Sequence, residues 1–157
     1  MASAVFSEAI LIIASVIVAA GLAGVVMAKV GSFQSTFTQT TESQKQTVLT
    51  TIKIIYLTND TKTGVDAWVK NVGTYPITNP SDSDVYFGQI NQMQRIPYSD
   101  PPSGLSWEFS SPITVWNQTN TAQISITGLS QIECGLTYDL QVTTPTGVSD
   151  EQYTRFC

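Results

Sequence analysis

The sequence predicts an N-terminal transmembrane α-helix followed by an all-β domain, an immunoglobulin-like antiparallel β-sandwich of seven or eight strands. Three observations carry that expectation. Residues 9–28, AILIIASVIVAAGLAGVVMA, hold no charged side chain and only Ser15 as a hydroxyl. From Val48 onward the chain becomes rich in β-branched residues and is split into short segments by Gly, Pro, Asn and Asp. Several of those segments alternate apolar and polar residues at the strand period of two.

The apolar run comes first. Its twenty residues, at ~1.5 Å rise each, form a helix roughly 30 Å long, the thickness of a bilayer's hydrocarbon core. A helix apolar on every face belongs in a membrane or an equally oily bundle, which assigns residues 1–28. A cleaved signal peptide is the alternative, with AGLAG as a cleavage-like stretch. It would want a basic leader, and Met1 to Ser7 contains no Lys or Arg.

Residues 29–47 follow, rich in Ser, Thr and Gln. Val30, Phe33 and Phe37 fall at i, i+3 and i+7, one stripe of a helix, and predict a helical stalk. Gly31 and the threonines weaken that helix, so a flexible tether is the alternative reading.

Residues 48–157 form the predicted sandwich. Strands are expected near Leu49–Leu57, Val65–Asn71, Val85–Ile90, Leu105–Phe109, Ile113–Val115, Ala122–Thr127, Leu136–Thr143 and Gln152–Phe156. Val65, Ala67 and Val69 alternate with Asp66 and Lys70; Ala122, Ile124 and Ile126 alternate with Gln123 and Ser125. One buried and one wet face per strand is the pattern of packed antiparallel sheets. Trp68, Trp107 and Trp116 are read as core or rim bulk before they are read as a ligand cage.

The last hairpin carries a turn signal, Thr144-Pro145-Thr146-Gly147, with Pro and Gly where a type I turn prefers them. In a two-residue loop Thr144 faces Gly147, and Cys134 then faces Cys157. A disulfide between them is expected to add about 3 kcal/mol in the chain-entropy model. A bulge would shift the register by one and leave two unpaired thiols as the alternative.

Charge narrows the function. The net charge is −5, and residues 59–157 set ten carboxylates against Lys62, Lys70, Arg95 and Arg155. Phosphate neutralisation needs clustered cations, so nucleic acid is set aside as a partner. Lys29, just after the apolar run, favours a cytoplasmic domain by the positive-inside tendency. The two cysteines, the Thr/Ser/Asn/Gln-rich surface and two sequons favour the outside. Those sequons are Asn59-Asp60-Thr61 and Asn117-Gln118-Thr119, which make Asn59 and Asn117 glycosylation candidates.

Catalysis finds no foothold. Histidine is absent, removing the usual general base and the commonest metal ligand. There is no phosphate loop and no nucleophile elbow. No catalytic residue, cofactor, metal ligand or small-molecule substrate is assigned. Asp82-Ser83-Asp84 is read as a solvated turn before it is read as a calcium site.

Assembly is better supported. Ala20, Gly24 and Ala28 lie at four-residue spacing, leaving one helix face without bulk against which another helix packs closely. Glu8 opens the apolar run, where a carboxylate calls for the headgroup layer or a positive partner such as a neighbouring amino terminus.

At this point the chain resembles a known family. The residues are Met1-Ala2-Ser3-Ala4 with Ser7-Glu8-Ala9, then Ala67-Trp68-Val69-Lys70-Asn71-Val72-Gly73 followed by Pro76-Ile77. Further on come Ser103-Gly104-Leu105-Ser106-Trp107-Glu108-Phe109, Trp116, and Thr144-Pro145-Thr146-Gly147-Val148-Ser149. These are similar to the archaellum (archaeal flagellum) accessory protein G family (FlaG/ArlG), related to archaellins and type IV pilin-like proteins. The resemblance implies a structural component of the motility machine, anchored in the archaeal cell membrane with its β-domain in the pseudoperiplasm. It implies a stator, holding the motor to the cell envelope through archaellum protein F and indirectly the S-layer, beside the membrane and other copies of itself.

Two alternatives stand beside the stator. One is an archaellin-like subunit of the extracellular archaellum filament, its helices bundled in the core. The other is a generic membrane-tethered extracellular binding module. Filament subunits are cut behind a basic leader, and nothing basic precedes Glu8. The mature protein is therefore expected to keep Ala2 to Ser7, losing at most Met1.

Overall fold

The computed structural model describes residues 2–156, with side chains from Phe6 onward except that of Asp60. One helix, α1, runs Ala2–Leu49. The hydroxyls that would disturb it are turned back onto its own backbone. Ser15 Oγ donates to the Ile12 carbonyl, and Thr36, Thr38 and Thr40 donate to carbonyls four residues earlier. Each threonine thereby satisfies its hydroxyl without leaving the helix. The chain divides into two compact units, residues 1–44 and 45–157, so the last turn of α1 belongs with the β unit.

That last turn corrects one expectation: Leu49 ends the helix instead of opening a strand. Val48-Leu49-Thr50-Thr51 favours extended backbone by propensity, and tertiary bonds override it. Thr50 N–H and Oγ1 both reach the Gln46 carbonyl, continuing the helical pattern. The amide of Thr74 donates to the Leu49 carbonyl, and those of Val72 and Gly73 to the Thr51 carbonyl, each at 2.9 Å. Carbonyls that a helix end leaves open are thus satisfied by a loop.

Ten strands follow: β1 Ile52–Thr61, β2 Gly64–Asn71, β3 Ile77–Thr78, β4 Asp84–Gln89, β5 Gln92–Ile96, β6 Ser106–Phe109, β7 Val115–Trp116, β8 Thr121–Thr127, β9 Thr137–Thr143 and β10 Ser149–Arg155. Eight form two four-stranded antiparallel sheets, β1-β2-β8-β6 (sheet one) and β10-β9-β4-β5 (sheet two); β3 and β7 make a short ribbon. The alternation along β2 and β8 places Val65, Ala67, Val69, Ala122, Ile124 and Ile126 in the core. Opposite them sheet two contributes Val85, Phe87, Leu140 and Val142. Each Val, Leu, Ile or Phe among them stabilises the fold by about 1.5–3 kcal/mol on burial, and each alanine by under about 1 kcal/mol. Tyr98, Trp107, Phe109 and Trp116 form a chain of ring contacts at 4.8–6.0 Å centroid separation.

Two further expectations are corrected. Strands β3 and β5 lie outside the expected set, and β5 reads Gln-Met-Gln-Arg-Ile with only its last residue buried. An edge strand pairs through its backbone, so its side chains need not announce it. The final hairpin is also shifted by one: Ser149 pairs with Thr143 and Arg155 with Thr137. Its loop holds three residues, Pro145 to Gly147, closed by the Thr144 amide on the Val148 carbonyl at 2.8 Å. Gly147 takes φ +83°, the left-handed conformation that turns a type I loop into the bulged form. The expected facing of Cys134 by Cys157 does not follow from this register, and Cys157 lies outside the described residues. Among the described residues no cysteine is free.

Candidate assembly surfaces

The helix of residues 1–44 offers an uninterrupted apolar exterior. Ile10, Leu11, Ile12, Ile13, Val16 and Ile17 are all well over half exposed. By length and composition α1 is able to cross a membrane. Ala20, Gly24 and Ala28 share one face, and nothing lies within 4 Å of where a Gly24 Cβ would stand. Glu8 is exposed on the same helix. The apolar surface does not stop with the twenty-residue run: Phe33 and Phe37 are 74% and 75% exposed.

In the β unit, two polar residues hold edges that the apolar core does not reach. Asn71 is fully buried at the end of β2. Its Nδ2 donates to the carbonyls of Tyr75 and Trp116, and its Oδ1 accepts the Gly73 amide, all at 3.0 Å. The side chain thereby fixes the loop that caps α1, whose last turn also bonds Tyr75 through Gln46 Nε2. Gly73 is required there, because a Cβ would lie 2.4 Å from the Leu49 carbonyl oxygen. Asp150 of β10 joins the two sheets at their other edge. One carboxylate oxygen accepts the Ile54 amide at 2.8 Å and the other pairs with Lys53 Nζ at 2.7 Å. The amide is adjacent to a bulge at Ile55, where β1 falls out of register with β2.

The outer face of sheet two contains the unit's most unusual charge. Asp139 is 5% exposed, and its Oδ1 has no hydrogen-bond partner. Burial, and then the nearby Glu151 carboxylate, push its pKa above the ordinary value of 3.8. Tyr153, its partner across the strands, donates to Glu151, and that bond together with partial burial and the two carboxylates raises the phenol to about 12.

The remaining candidates are scattered. Asn117 is exposed in the turn between β7 and β8, where its carbonyl accepts the Asn120 amide; Asn59 is half-buried within β1. Asp82 lies in a 3-10 turn and Asp84 pairs with Arg95 at 2.6 Å. Among the described residues no three acidic, cysteine or histidine side chains are placed to hold a metal. Trp107 and Trp116 are buried, whereas Trp68 faces outward. Asn71, Asp139 and Asp150 carry no sequence signal that sets them apart from the chain's other polar residues. The Asn-x-Gly at 71–73 marks a turn, but which of its groups is buried depends on residues distant in the chain.

The profile of the archaeal-type flagellin family matches residues 2–154. The archaellum periplasmic stator protein FlaG from Sulfolobus acidocaldarius is 29% identical over 68% of this chain and 100% of its own, at a TM-score of 0.62. A chain of the stator protein complex FlaF and FlaG from the same organism is 28% identical over 66% of this chain and 87% of its own, at 0.61. The archaeal flagellum of Methanospirillum hungatei strain JF1 shares the fold over 95% of this chain and 92% of its own, at 0.71 and 14% identity. None of the curated protein sequences matches the chain.

Proposed function

The chain belongs to the archaeal-type flagellin family, structural components of the archaellum and not enzymes, and from that premise we propose that it serves as the archaellum's stator. In this reading residues 1–28 anchor it in the archaeal membrane and residues 29–47 form the stalk. The sandwich, whose first strand opens at Ile52, stands in the pseudoperiplasm and holds the motor to the envelope. The supporting observation is sequence identity: 29% to a stator protein across the whole of that chain, against 14% to the filament. FlaF-like protein, and through it the S-layer, is the partner this role calls for.

A filament subunit is the second reading, favoured by the flagellin family match over residues 2–154 and by the extent of the structural match. The filament match extends over 95% of this chain and therefore takes in most of α1. Both roles use an apolar helix, so assembly separates them. Purified full-length protein is expected to stay in small particles under the electron microscope and to co-purify with a FlaF-like partner from native membranes. Helical filaments formed by the protein alone would overturn the stator reading.

A further inference from the structure

Strand β6 ends at Phe109, paired with Ile124, and the amide of Ser110 makes a last bond to the Gln123 carbonyl. Beyond that point β8 has no β6 residue opposite Thr121 and Ala122, and the departing chain leaves a notch of about 320 Å³ beside them. Trp68, opposite Gln123 on β2, forms one wall. Its outward ring sits 5.5 Å from the ring of Tyr56, which is 58% exposed.

We propose that this notch is a saccharide-binding site, with the Trp68 indole as the stacking surface for a sugar ring. Three features select that ligand class. No lining residue is charged, so the site offers nothing to pair a phosphate, carboxylate or cation. Half-apolar, half-hydroxyl ligands match an aromatic wall facing neutral donors and acceptors. The polar groups are also unspent: the side chains of Thr121 and Gln123 make no hydrogen bond among the described residues. Ser110 adds an acceptor on the same wall. Ser125 gives its hydroxyl proton to Asp66, so in the Ser110–Ser125 bond Ser110 is the donor, and its own lone pairs are left to accept. The open stretch of β8 is two residues long, too short for strand addition by a peptide.

The buried tryptophans make the test specific. Trp107 and Trp116 are each 1% exposed, so quenching of tryptophan emission by a small solute reports Trp68. Full-length protein is held in a zwitterionic micelle without a sugar headgroup. It is titrated with a panel of neutral monosaccharides, with envelope polysaccharide, and with glycopeptides from envelope proteins. Saturable protection of Trp68 is expected, with monosaccharides binding in the millimolar range and longer glycans at least ~10-fold tighter. Protection by polysaccharide alone identifies a free polymer as the source, and protection by glycopeptides alone identifies a protein-linked glycan. Gln123→Ala keeps the reporter and is expected to weaken binding ~5-fold or more. Trp68→Ala, followed by saturation-transfer NMR, is expected to abolish it, with unchanged emission from Trp107 and Trp116 verifying the fold. No protection by any sugar up to ~100 mM would overturn the proposal. So would undiminished binding by both variants, or stronger protection by unglycosylated peptides.

Discussion

Asn71→Ala removes the buried amide that ties β2, the loop capping α1 and β7 together. The wild-type side chain is fully buried and makes three bonds at 3.0 Å. Alanine strands the Tyr75 and Trp116 carbonyls, while the Gly73 amide keeps its bond to the Thr51 carbonyl. A buried polar group without a partner costs about 1–3 kcal/mol, so two carbonyls set the expected loss near ~3 kcal/mol. For a unit of this size that lowers Tm by ~10–20 °C. Thermal and urea unfolding of the micelle-held chain, followed by emission of the buried Trp107 and Trp116, measures it. Hydrogen exchange supplies the local readout, since the amides of Val72, Gly73 and Thr74 should lose protection before the sheets do. A loss under ~1 kcal/mol, or unchanged protection at those three amides, would refute the role assigned to Asn71.

Asp139→Asn should stabilise the protein at neutral pH. The folded carboxyl has a raised pKa, so stability falls as pH climbs from its ordinary value of 3.8 through the raised one. The gap between variant and wild type is therefore expected to grow from near zero in acid to its full size at neutral pH; a pH-independent gap would contradict it. Asp150→Ala orphans the Ile54 amide as well as breaking the Lys53 pair, so it should cost ~1–3 kcal/mol. Lys53→Ala should cost under ~1 kcal/mol, because that ammonium is 60% exposed, and equal losses in urea unfolding would count against the assigned division of labour. A Cys134–Cys157 bridge is proposed for the native protein, which should show no thiol on titration in denaturant without reductant; two free thiols would dismiss it.

What was legible in the sequence followed chemistry that repeats along the chain. The apolar run specified a helix, and the alternation of Val65, Ala67 and Val69 with Asp66 and Lys70 specified which face of β2 is wet. Trp68 shares that outer face in the structure, although its bulk alone reads equally as core. What was illegible depended on contacts across the chain. Leu49 is helical because a loop more than twenty residues later bonds its carbonyl, and β5 exists because β4 offers it a backbone edge. The hairpin register turned on the conformation of Gly147, which the turn motif permits without requiring. Asn71 and Asp150 are polar residues whose meaning comes from partners distant in sequence, and no periodicity records those.

The joint at Leu49 has a mechanical consequence. Tension arriving along the covalent chain from α1 enters the sandwich at Thr50 and Thr51, where the Thr51 carbonyl is held by the amides of Val72 and Gly73 and the Leu49 carbonyl by that of Thr74. Strand β1 cannot peel from β2 until those bonds part, and Asp150 then resists at Lys53 and Ile54. Load is therefore met first by successive catches in the opening residues of the sandwich.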